Sequence, residues 1–378
     1  RSRIASFWME GPAAAYQTLS QLVYKLLTAE QEYELTGSEE TLKAVTNTDW
    51  GLPYLPRTAQ EQRRSDELIN RTESWDESVV PEGVRFLVAT VDVQGGKKRR
   101  FVVQVVGYGE KGERWVIDRF EITQSLRYDN NGECRRIDPG SYPEDWQVLI
   151  TDVLEKTYPL QHYPHHEMGI MMLGVDSGGE DGVTDNAYKF WRRCRKEGLH
   201  RKVYLFKGDG HKRSKLITKS FPDNTSRSER RAQAKGDVPL YLLQTDQLKD
   251  RISSALSRDT VGPNYIHFPD WLDESFYDEL TYEERDEKGH WEKPGRGANE
   301  AFDLMVYAHA LVILKGYEGI NWEKPPKWAR LPDVTLSSSS PITDIATEPE
   351  IKPSPETPKQ ETPAVSAWAP VSNSGGWI

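Results

Sequence analysis

The sequence predicts a mixed α/β protein in which a central sheet is flanked by helices. Three successive segments rich in β-branched and aromatic residues, 85–93, 100–109 and 114–122, are separated by short turns, which is typical of an antiparallel meander. After them, short apolar segments at 169–176, 202–208 and 238–244 alternate with segments of helical periodicity. Antiparallel strands followed by such alternation predict a mixed sheet covered by helices.

Four segments carry helix signals. Residues 141–159 open with Ser141 and Glu144 at capping-box spacing and contain Pro143 at an early position, which predicts a helix ending at Pro159. Helical spacing also predicts helices over 183–198 and 245–258, the second of them capped, and over 297–316, where apolar residues share one face.

Composition changes divide the chain into three parts. Residues 1–80 combine a helical pattern that ends at Gly37 with a turn-rich, charged segment, and we interpret them as a connector that packs on a segment preceding Arg1. Residues 81–327 form the predicted α/β domain. Residues 328–378 are rich in Ser, Thr, Pro and Glu and are predicted to be disordered. The last part ends with Trp368, Trp377 and Ile378, which we interpret as a docking end rather than an unselected terminus.

The composition excludes several classes of protein. No segment approaches the roughly 20 apolar residues of a membrane span, and no signal peptide is evident. Cys134 and Cys194 form no CxxC pair, which argues against a disulfide scaffold or a zinc site and fits a reducing compartment. The chain also lacks a Walker A phosphate loop, a GxSxG motif and a GxGxxG motif that opens a helix after a strand.

The charge of the chain is unevenly distributed. The formal net charge is -10, yet residues 192–235 contain 15 Lys or Arg against 4 Asp or Glu. Such a basic region is either a solvated loop or a binding surface for a polyanion. We expect Lys207, Lys212, Arg213 and Lys215 to neutralise DNA phosphates.

Acidic residues occupy positions where they can converge. Asp92 lies inside the first predicted strand, although Asp is disfavoured there and is costly to bury without a partner. Asp176 ends the strand at 169–176, and Glu300 and Asp303 share a face of the last helix. Carboxylates this close need a compensating cation, and oxygen ligands suit Mg or Mn. Asp303 is preferred to Glu300 because it lies deeper in the helix.

Structural interpretations of the same residues remain open. Asp176 in the segment DSGG is able to cap the following turn, and Glu300 is able to serve the N-terminal dipole of its helix. Asp118 is interpreted as a surface acid or as an outer partner of the site. The segment 162–167, HYPHHE, has some metal-like spacing, but we expect it to be a structural loop because it contains Pro and lacks a cysteine partner.

The order of the segments resembles the large terminase subunit of lambda-type tailed phages, in its C-terminal nuclease half. The segments that carry the resemblance run from FWMEGPAAAYQTLSQL and NTDWGLPY through VATVDVQ, LGVDSGG and VYLFKG to NEAFDLMVYAHAL. No single segment is as specific as their order, and the resemblance extends over about residues 7–317.

This resemblance implies an RNase H-like fold and a metal-dependent DNA endonuclease that cuts concatemeric viral DNA into genome lengths. By motif, the metal-binding acids map to Asp92, Asp176 and Asp303, with two Mg or Mn ions per site. The implied partners are double-stranded viral DNA, a terminase small subunit and, through the tail, the portal of the prohead. The implied location is the cytoplasm of the bacterial host, with no membrane involved.

Two other functions compete with this interpretation. Within the same fold, the alternative is another RNase H-like nuclease, such as a resolvase or a transposase. In a different class, the alternative is a non-catalytic module that joins the packaging motor to the portal, in which the acids are structural. Because the phosphate loop of the ATPase is absent from the sequence, we expect this chain to cut DNA but not to package it unaided.

Overall fold

The β-rich segments that begin at residue 85 form the predicted meander in a computed structural model, which describes residue 12 and residues 17–54, 64–209, 215–222, 237–286 and 290–330. The strands in this part of the chain are β1 (Phe86–Gln94), β2 (Arg100–Tyr108), β3 (Arg114–Ile122), β4 (Gln124–Tyr128), β5 (Cys134–Arg136), β6 (Thr157–Leu160), β7 (Tyr163–Asp176), β8 (Val203–Gly208), β9 (Ile217–Ser220), β10 (Leu240–Leu243), β11 (Ile266–His267), β12 (Glu284–Arg285) and β13 (Trp291–Glu292).

The central sheet has the order β11-β3-β2-β1-β7-β8-β10-β9, with β6 paired to β7. Strand β2 is antiparallel to both of its neighbours, whereas β7 runs parallel to β1 and β8 runs parallel to β7. The run β3-β2-β1-β7-β8 is an RNase H-like arrangement, and it confirms the predicted fold class. Two further pairs, β4 with β5 and β12 with β13, form separate hairpins.

Helices cover both faces of the sheet, and the side chains of β1 alternate between the hydrophobic cores on these two faces. Leu87, Ala89 and Val91 face the core that includes the fourth helix, whereas Phe86 and Val88 face the core that includes the last three helices. The helices are α1 (Leu19–Thr36), α2 (Glu40–Ala44), α3 (Ser65–Ile69), α4 (Val183–Lys196), α5 (Thr245–Leu256), α6 (Glu274–Thr281) and α7 (Glu300–Leu314). The helices predicted near 183, 245 and 297 are confirmed as α4, α5 and α7. No helix among the described residues is both long and apolar enough to span a membrane.

The prediction of one continuous helix over residues 141–159 is wrong. A 3-10 turn at Pro143–Gln147 is followed by a π-helical segment at Leu149–Leu154, and β6 has begun by residue 157. The predicted capping box is absent because the N-cap residue is Tyr142, which makes no side-chain cap hydrogen bond. Asp145 is fully buried and accepts hydrogen bonds from Arg127 and from the backbone N–H of Asp138, and these tertiary contacts hold the segment in a tight turn.

Two smaller predictions also need correction. The cap expected for α5 is not formed by a side chain, since Gln244 at the N-cap position makes no such bond. The segment 162–167, predicted to be a loop, mostly belongs to β7, which is 14 residues long. His162, which precedes the strand, lies 3.7 Å from a carboxylate oxygen of Glu82.

The described part of the predicted connector packs on the α/β domain. Helix α1 begins with a capping box between Thr18 and Gln21 and ends at Thr36. Gly37, the predicted helix stop, is its C-cap residue in the left-handed conformation. The side-chain amide of Asn264 donates hydrogen bonds to the carbonyl groups of Glu34 and Leu35 at 3.0 and 2.9 Å. Nearer the domain, Trp75 and Val80 belong to the hydrophobic core itself.

The other end of the described chain is packed as well. The ring of Trp328 lies edge-on to Phe86 with a centroid distance of 5.2 Å, and Ala329 is buried in the core that includes Phe86. The docking end proposed for Trp368, Trp377 and Ile378 lies outside the described residues.

Candidate active site

Two aspartates lie side by side at one edge of the sheet. Val91 of β1 pairs with Val175 of the parallel strand β7, so the next residues, Asp92 and Asp176, occupy matched positions on neighbouring strands. Asp176 is the last residue of β7, and β1 ends two residues after Asp92. Both aspartates are half-buried, and the parallel register therefore brings together the two acids that the sequence singled out.

The last helix places a third carboxylate over this pair. The hydroxyl of Thr90, fully buried in β1, donates a hydrogen bond to the carbonyl oxygen of Leu304 at 3.1 Å. This contact fixes the N-terminal part of α7 against the strand that carries Asp92. Asp303, one residue before Leu304, is close enough to raise the pKa of both Asp92 and Asp176.

The electrostatics of the site oppose ionisation of the aspartates. Burial is the main cause that raises the pKa of Asp92, from an ordinary 3.8 to about 6, and the charge of Asp176 is the next. Burial also raises the pKa of Asp176, with a further contribution from Asp303, while Lys207 acts in the opposite direction. The two acids thus lack the counter-charge that a cation would provide.

Each of the three aspartates is oriented by a donor from the chain. Asp92 accepts a hydrogen bond from the side-chain amide of Gln94. Asp176 accepts one from the backbone N–H of Gly178 at 2.8 Å, and the nearby hydroxyl of Tyr307 lowers the pKa of Asp176. Such partners orient carboxylates that bind metals.

Asp303 has the most extensive set of partners. Its Oδ1 lies 2.9 Å from the ammonium of Lys249, and its Oδ2 accepts a hydrogen bond of 2.7 Å from Asn299. The same ammonium lies 2.6 Å from Glu283, which also accepts a hydrogen bond from Asn299. Burial lowers the pKa of Lys249, but Asp303 and Glu283 more than offset this effect and raise it above its ordinary value. Lys249 is therefore a charged partner of Asp303.

Glu300 has a different environment. It is buried, its Oε1 lies 3.6 Å from the guanidinium of Arg100, and its Oε2 has no hydrogen-bond partner among the described residues. Its charge raises the pKa of Asp92. The charge of Asp303 raises the pKa of both Asp92 and Asp176.

The donor chemistry of the site fits a hard divalent cation. Asp92, Asp176 and Asp303 supply carboxylate oxygens, and the raised pKa values of Asp92 and Asp176 reflect uncompensated negative charge, which a bound Mg or Mn ion would neutralise. Across the described ranges, however, no three His, Cys, Asp or Glu residues form a ready-made metal cluster. The carboxylate of Asp303 instead contacts Lys249 and Asn299. The carboxylate of Asp176 accepts a hydrogen bond from Gly178 in the loop that follows β7.

The basic residues predicted from the sequence are only partly described. Lys207 is exposed near the end of β8, where Phe206 pairs with Asp176, and its charge reaches Asp176. Lys215 is exposed just before β9. Lys212 and Arg213 lie outside the described residues.

Asp118 is not a surface acid. Its side chain is buried and accepts a hydrogen bond of 2.7 Å from Lys156 and one of 2.9 Å from Tyr158. These partners make Asp118 part of a structural ion pair rather than of the carboxylate cluster.

Sequence reasoning missed three residues that hold the acids in place. Tyr307 lies one helical turn after Asp303, and this four-residue spacing was a signal that could have identified it. Asn299 directly precedes α7, where Asn is a common capping residue, but its side chain binds carboxylates instead. Lys249 is distant in sequence from every acid of the site, and no local pattern indicates its role.

The order of the strands in the sheet, with acids at the ends of adjacent parallel strands, places this chain in the class of RNase H-like α/β proteins. The family whose sequence profile matches residues 4–322 is described as the endonuclease domain of the terminase large subunit gpA. Because the match extends over most of the 378 residues, the chain belongs to this family.

Solved structures give more distant similarities. The large terminase of a thermophilic bacteriophage is 15% identical, with a TM-score of 0.35, and the match covers 80% of this chain and 54% of that chain. The chain therefore spans about half of that protein. The nuclease domain of the large terminase subunit gp2 of the bacterial virus Sf6 is 14% identical, with a TM-score of 0.33 and coverage of 65% and 96%. A variant of the Sf6 domain with manganese and beta-thujaplicinol is also 14% identical, with a TM-score of 0.30 and coverage of 68% and 96%. No curated protein matches the chain.

Proposed function

We propose that this endonuclease domain cleaves double-stranded viral DNA with divalent metal ions held by Asp92, Asp176 and Asp303. The observation that carries the proposal is the matched position of Asp92 and Asp176 on adjacent parallel strands, with Asp303 coupled electrostatically to both. The Sf6 structures obtained with calcium and with manganese support a role for divalent ions in that relative. Two bound Mg or Mn ions would supply an activated water and stabilise the oxygen that leaves the phosphate.

The residues of the chain have distinct roles in this proposal. Asp92 and Asp176, set by the sheet register, provide rigid oxygen ligands at the sheet edge. Asp303 completes the set from α7, where Lys249 and Asn299 orient its carboxylate. The hydroxyl of Tyr307 favours the ionised form of Asp176 by lowering its pKa, and Lys207 is placed to attract a DNA phosphate.

The biological role follows from the family. In the whole terminase, this domain would cut concatemeric DNA into genome-length units in the cytoplasm of the bacterial host. A small subunit would bring it to the cut site, because phosphate contacts alone carry no sequence information. The end of the tail at residues 328–378, with Trp368, Trp377 and Ile378, would dock on the portal of the prohead.

The test is the conversion of supercoiled plasmid to nicked and linear forms with Mg, Mn or EDTA. The native chain is compared with Asp92→Asn and Asp176→Asn, and with Asp152→Asn as a matched control at an exposed position. Cleavage that requires a metal and both aspartates, and that is unaffected in the control, supports the proposal. If no metal supports cleavage and calorimetry shows no stabilisation by metal, the proposal fails and the non-catalytic docking function is favoured.

A further inference from the structure

A basic pocket lies beside the carboxylate edge of the sheet. The turn between β1 and β2 and the hairpin of β4 and β5 enclose a surface pocket of about 740 Å³. Five of its lining side chains are basic, namely Lys97, Arg99, Arg127, Arg135 and Arg136, and two, Asp129 and Asp138, are acidic. The lining therefore carries three more positive than negative charges.

Two of the basic residues are held in place by acids. Arg127 forms ion-paired hydrogen bonds of 2.6 and 2.8 Å with the two carboxylate oxygens of Asp145, and its guanidinium lies 3.6 Å from the ring centroid of Tyr142. Arg99 lies 3.2 Å from a carboxylate oxygen of Asp138. These contacts build one wall of the pocket.

The other three basic side chains point to solvent. Lys97, Arg135 and Arg136 are exposed, and none forms an ion pair with a carboxylate in the part of the chain that the structure describes. Exposed cations without acid partners are available to an anionic ligand at little desolvation cost.

The pocket is physically joined to the carboxylate edge. The backbone N–H of Gly96, in the turn with φ of +72°, donates a hydrogen bond to Glu180, and Arg99 lies 3.7 Å from the same carboxylate. Glu180 belongs to the loop that follows Asp176. Gly96 is only four residues from Asp92, so the two positions are at most about 14 Å apart along an extended chain.

We infer that this pocket binds backbone phosphates of the DNA on one side of the scissile bond. At a rise of about 3.4 Å per base pair, the upper limit of about 14 Å between Gly96 and Asp92 corresponds to at most roughly four base pairs. Lysine and arginine at an open pocket contact phosphates, which fix the position of the duplex without reading its sequence. The inference rests on the proposed function, and it places a DNA contact on the β1–β2 side, whereas the sequence indicated the region from Lys207 to Lys215.

Cys134 provides a chemical probe of this pocket. It lines the pocket and is exposed, whereas the other cysteine, Cys194, is buried, and burial raises the pKa of its thiol to about 12. In EDTA, the rate of alkylation of Cys134 by iodoacetamide is measured with and without a 30-base-pair duplex. We expect the duplex to slow alkylation several-fold at low salt and to lose this effect at high salt, because phosphate contacts weaken as salt rises.

A charge-matched pair of variants tests whether the basic side chains cause the protection. The triple variant Lys97→Ala, Arg135→Ala and Arg136→Ala removes three positive charges from the pocket. The control removes three exposed charges elsewhere, by Lys43→Ala, Lys324→Ala and Lys327→Ala. We expect the pocket variant, and not the control, to lose protection of Cys134, to bind the duplex about tenfold or more weakly, and to reduce the slope of log affinity against log salt by about 3.

The outcomes separate this inference from the proposed function. If the duplex binds while the alkylation rate is unchanged, or if both triple variants have the same salt slope, the pocket is not a DNA site. Absence of duplex binding overturns it as well. If the duplex protects Cys134 but no metal-dependent plasmid cleavage occurs, the DNA-binding role of the pocket is supported and the proposed nuclease activity is contradicted. If cleavage occurs without protection of Cys134, the nuclease activity is supported and the DNA-binding role of the pocket is contradicted.

Discussion

The ammonium of Lys249 lies 2.9 Å from Oδ1 of Asp303 and links this carboxylate to Glu283 in a buried ion cluster. A positive charge from α5 thus stands beside the acid that α7 contributes to the carboxylate edge. This arrangement places one positive charge between the carboxylates of Asp303 and Glu283. It also gives the metal-free protein an internal counter-ion on one side of the site.

Replacement of Lys249 by Met should destabilise the metal-free protein. Removal of one partner of a buried ion pair leaves an uncompensated charge, which costs about 3–5 kcal/mol. Unfolding by urea in EDTA measures this loss, and Lys43→Met, at an exposed position, is the control. Mg should restore more stability to the variant than to the native chain, because a bound cation replaces the missing charge. Equal stability of the native chain and the Lys249 variant would show that the cluster contributes nothing.

Replacement of Asp92 by Asn should stabilise the metal-free protein above pH 6. The folded-state pKa of Asp92 is raised from 3.8 to about 6, so between these values the folded state binds more protons than the unfolded state. The stability of the native chain therefore falls as pH rises from about 4 through about 6. The variant lacks this loss, which amounts to about 3 kcal/mol at most. Urea unfolding in EDTA at pH 4.5 and pH 7.5 measures the difference, and a stability gain that is equal at both pH values would contradict the raised pKa.

The third acid can be identified by comparing Asp303→Asn with Glu300→Gln. Asp303 raises the pKa of both Asp92 and Asp176, so we expect its replacement to reduce metal-dependent cleavage by about 100-fold or more. Loss of an outer partner of a metal site reduces metal affinity or activity by about 10- to 100-fold. We expect the loss of cleavage rate in Glu300→Gln to lie at the lower end of this range. Initial rates of plasmid nicking, with folding checked by circular dichroism, provide the measurement. The opposite order of effects would assign the third position to Glu300.

Replacement of Tyr307 by Phe removes the hydroxyl that lowers the pKa of Asp176. The aromatic ring packs 5.6 Å from that of Phe206, and Phe preserves this contact, so the fold should persist. We expect metal affinity to fall by about tenfold or more, since partners of ligating carboxylates orient them. Titration calorimetry with Mn measures this effect. Tyr24→Phe, at a tyrosine that is 73% exposed, is the control and should bind Mn as the native chain does.

Much of the fold was predictable from local patterns. The alternation of β-branched residues indicated β1, β2 and β3, and the apolar periodicity of 297–316 indicated α7. These predictions succeed because segment length and periodicity determine which side chains can be buried. The prediction fails at residues 141–159, where the buried carboxylate of Asp145 binds Arg127 and the backbone of Asp138. Local capping signals cannot reveal such contacts, since the partners are supplied by other elements.

The sequence by itself determined that Asp92 and Asp176 stand at strand positions where an acid is costly, and that Asp303 follows at the start of a helix. It also determined the family to which the chain belongs. Only the tertiary structure decided that β1 and β7 are parallel neighbours in matching register, that Lys249 is the ionic partner of Asp303, and that the β1–β2 turn forms a basic pocket with the β4–β5 hairpin. The physical reason is that these relationships depend on strand pairing and helix packing between distant segments, whereas local sequence patterns report only the periodicity within each segment.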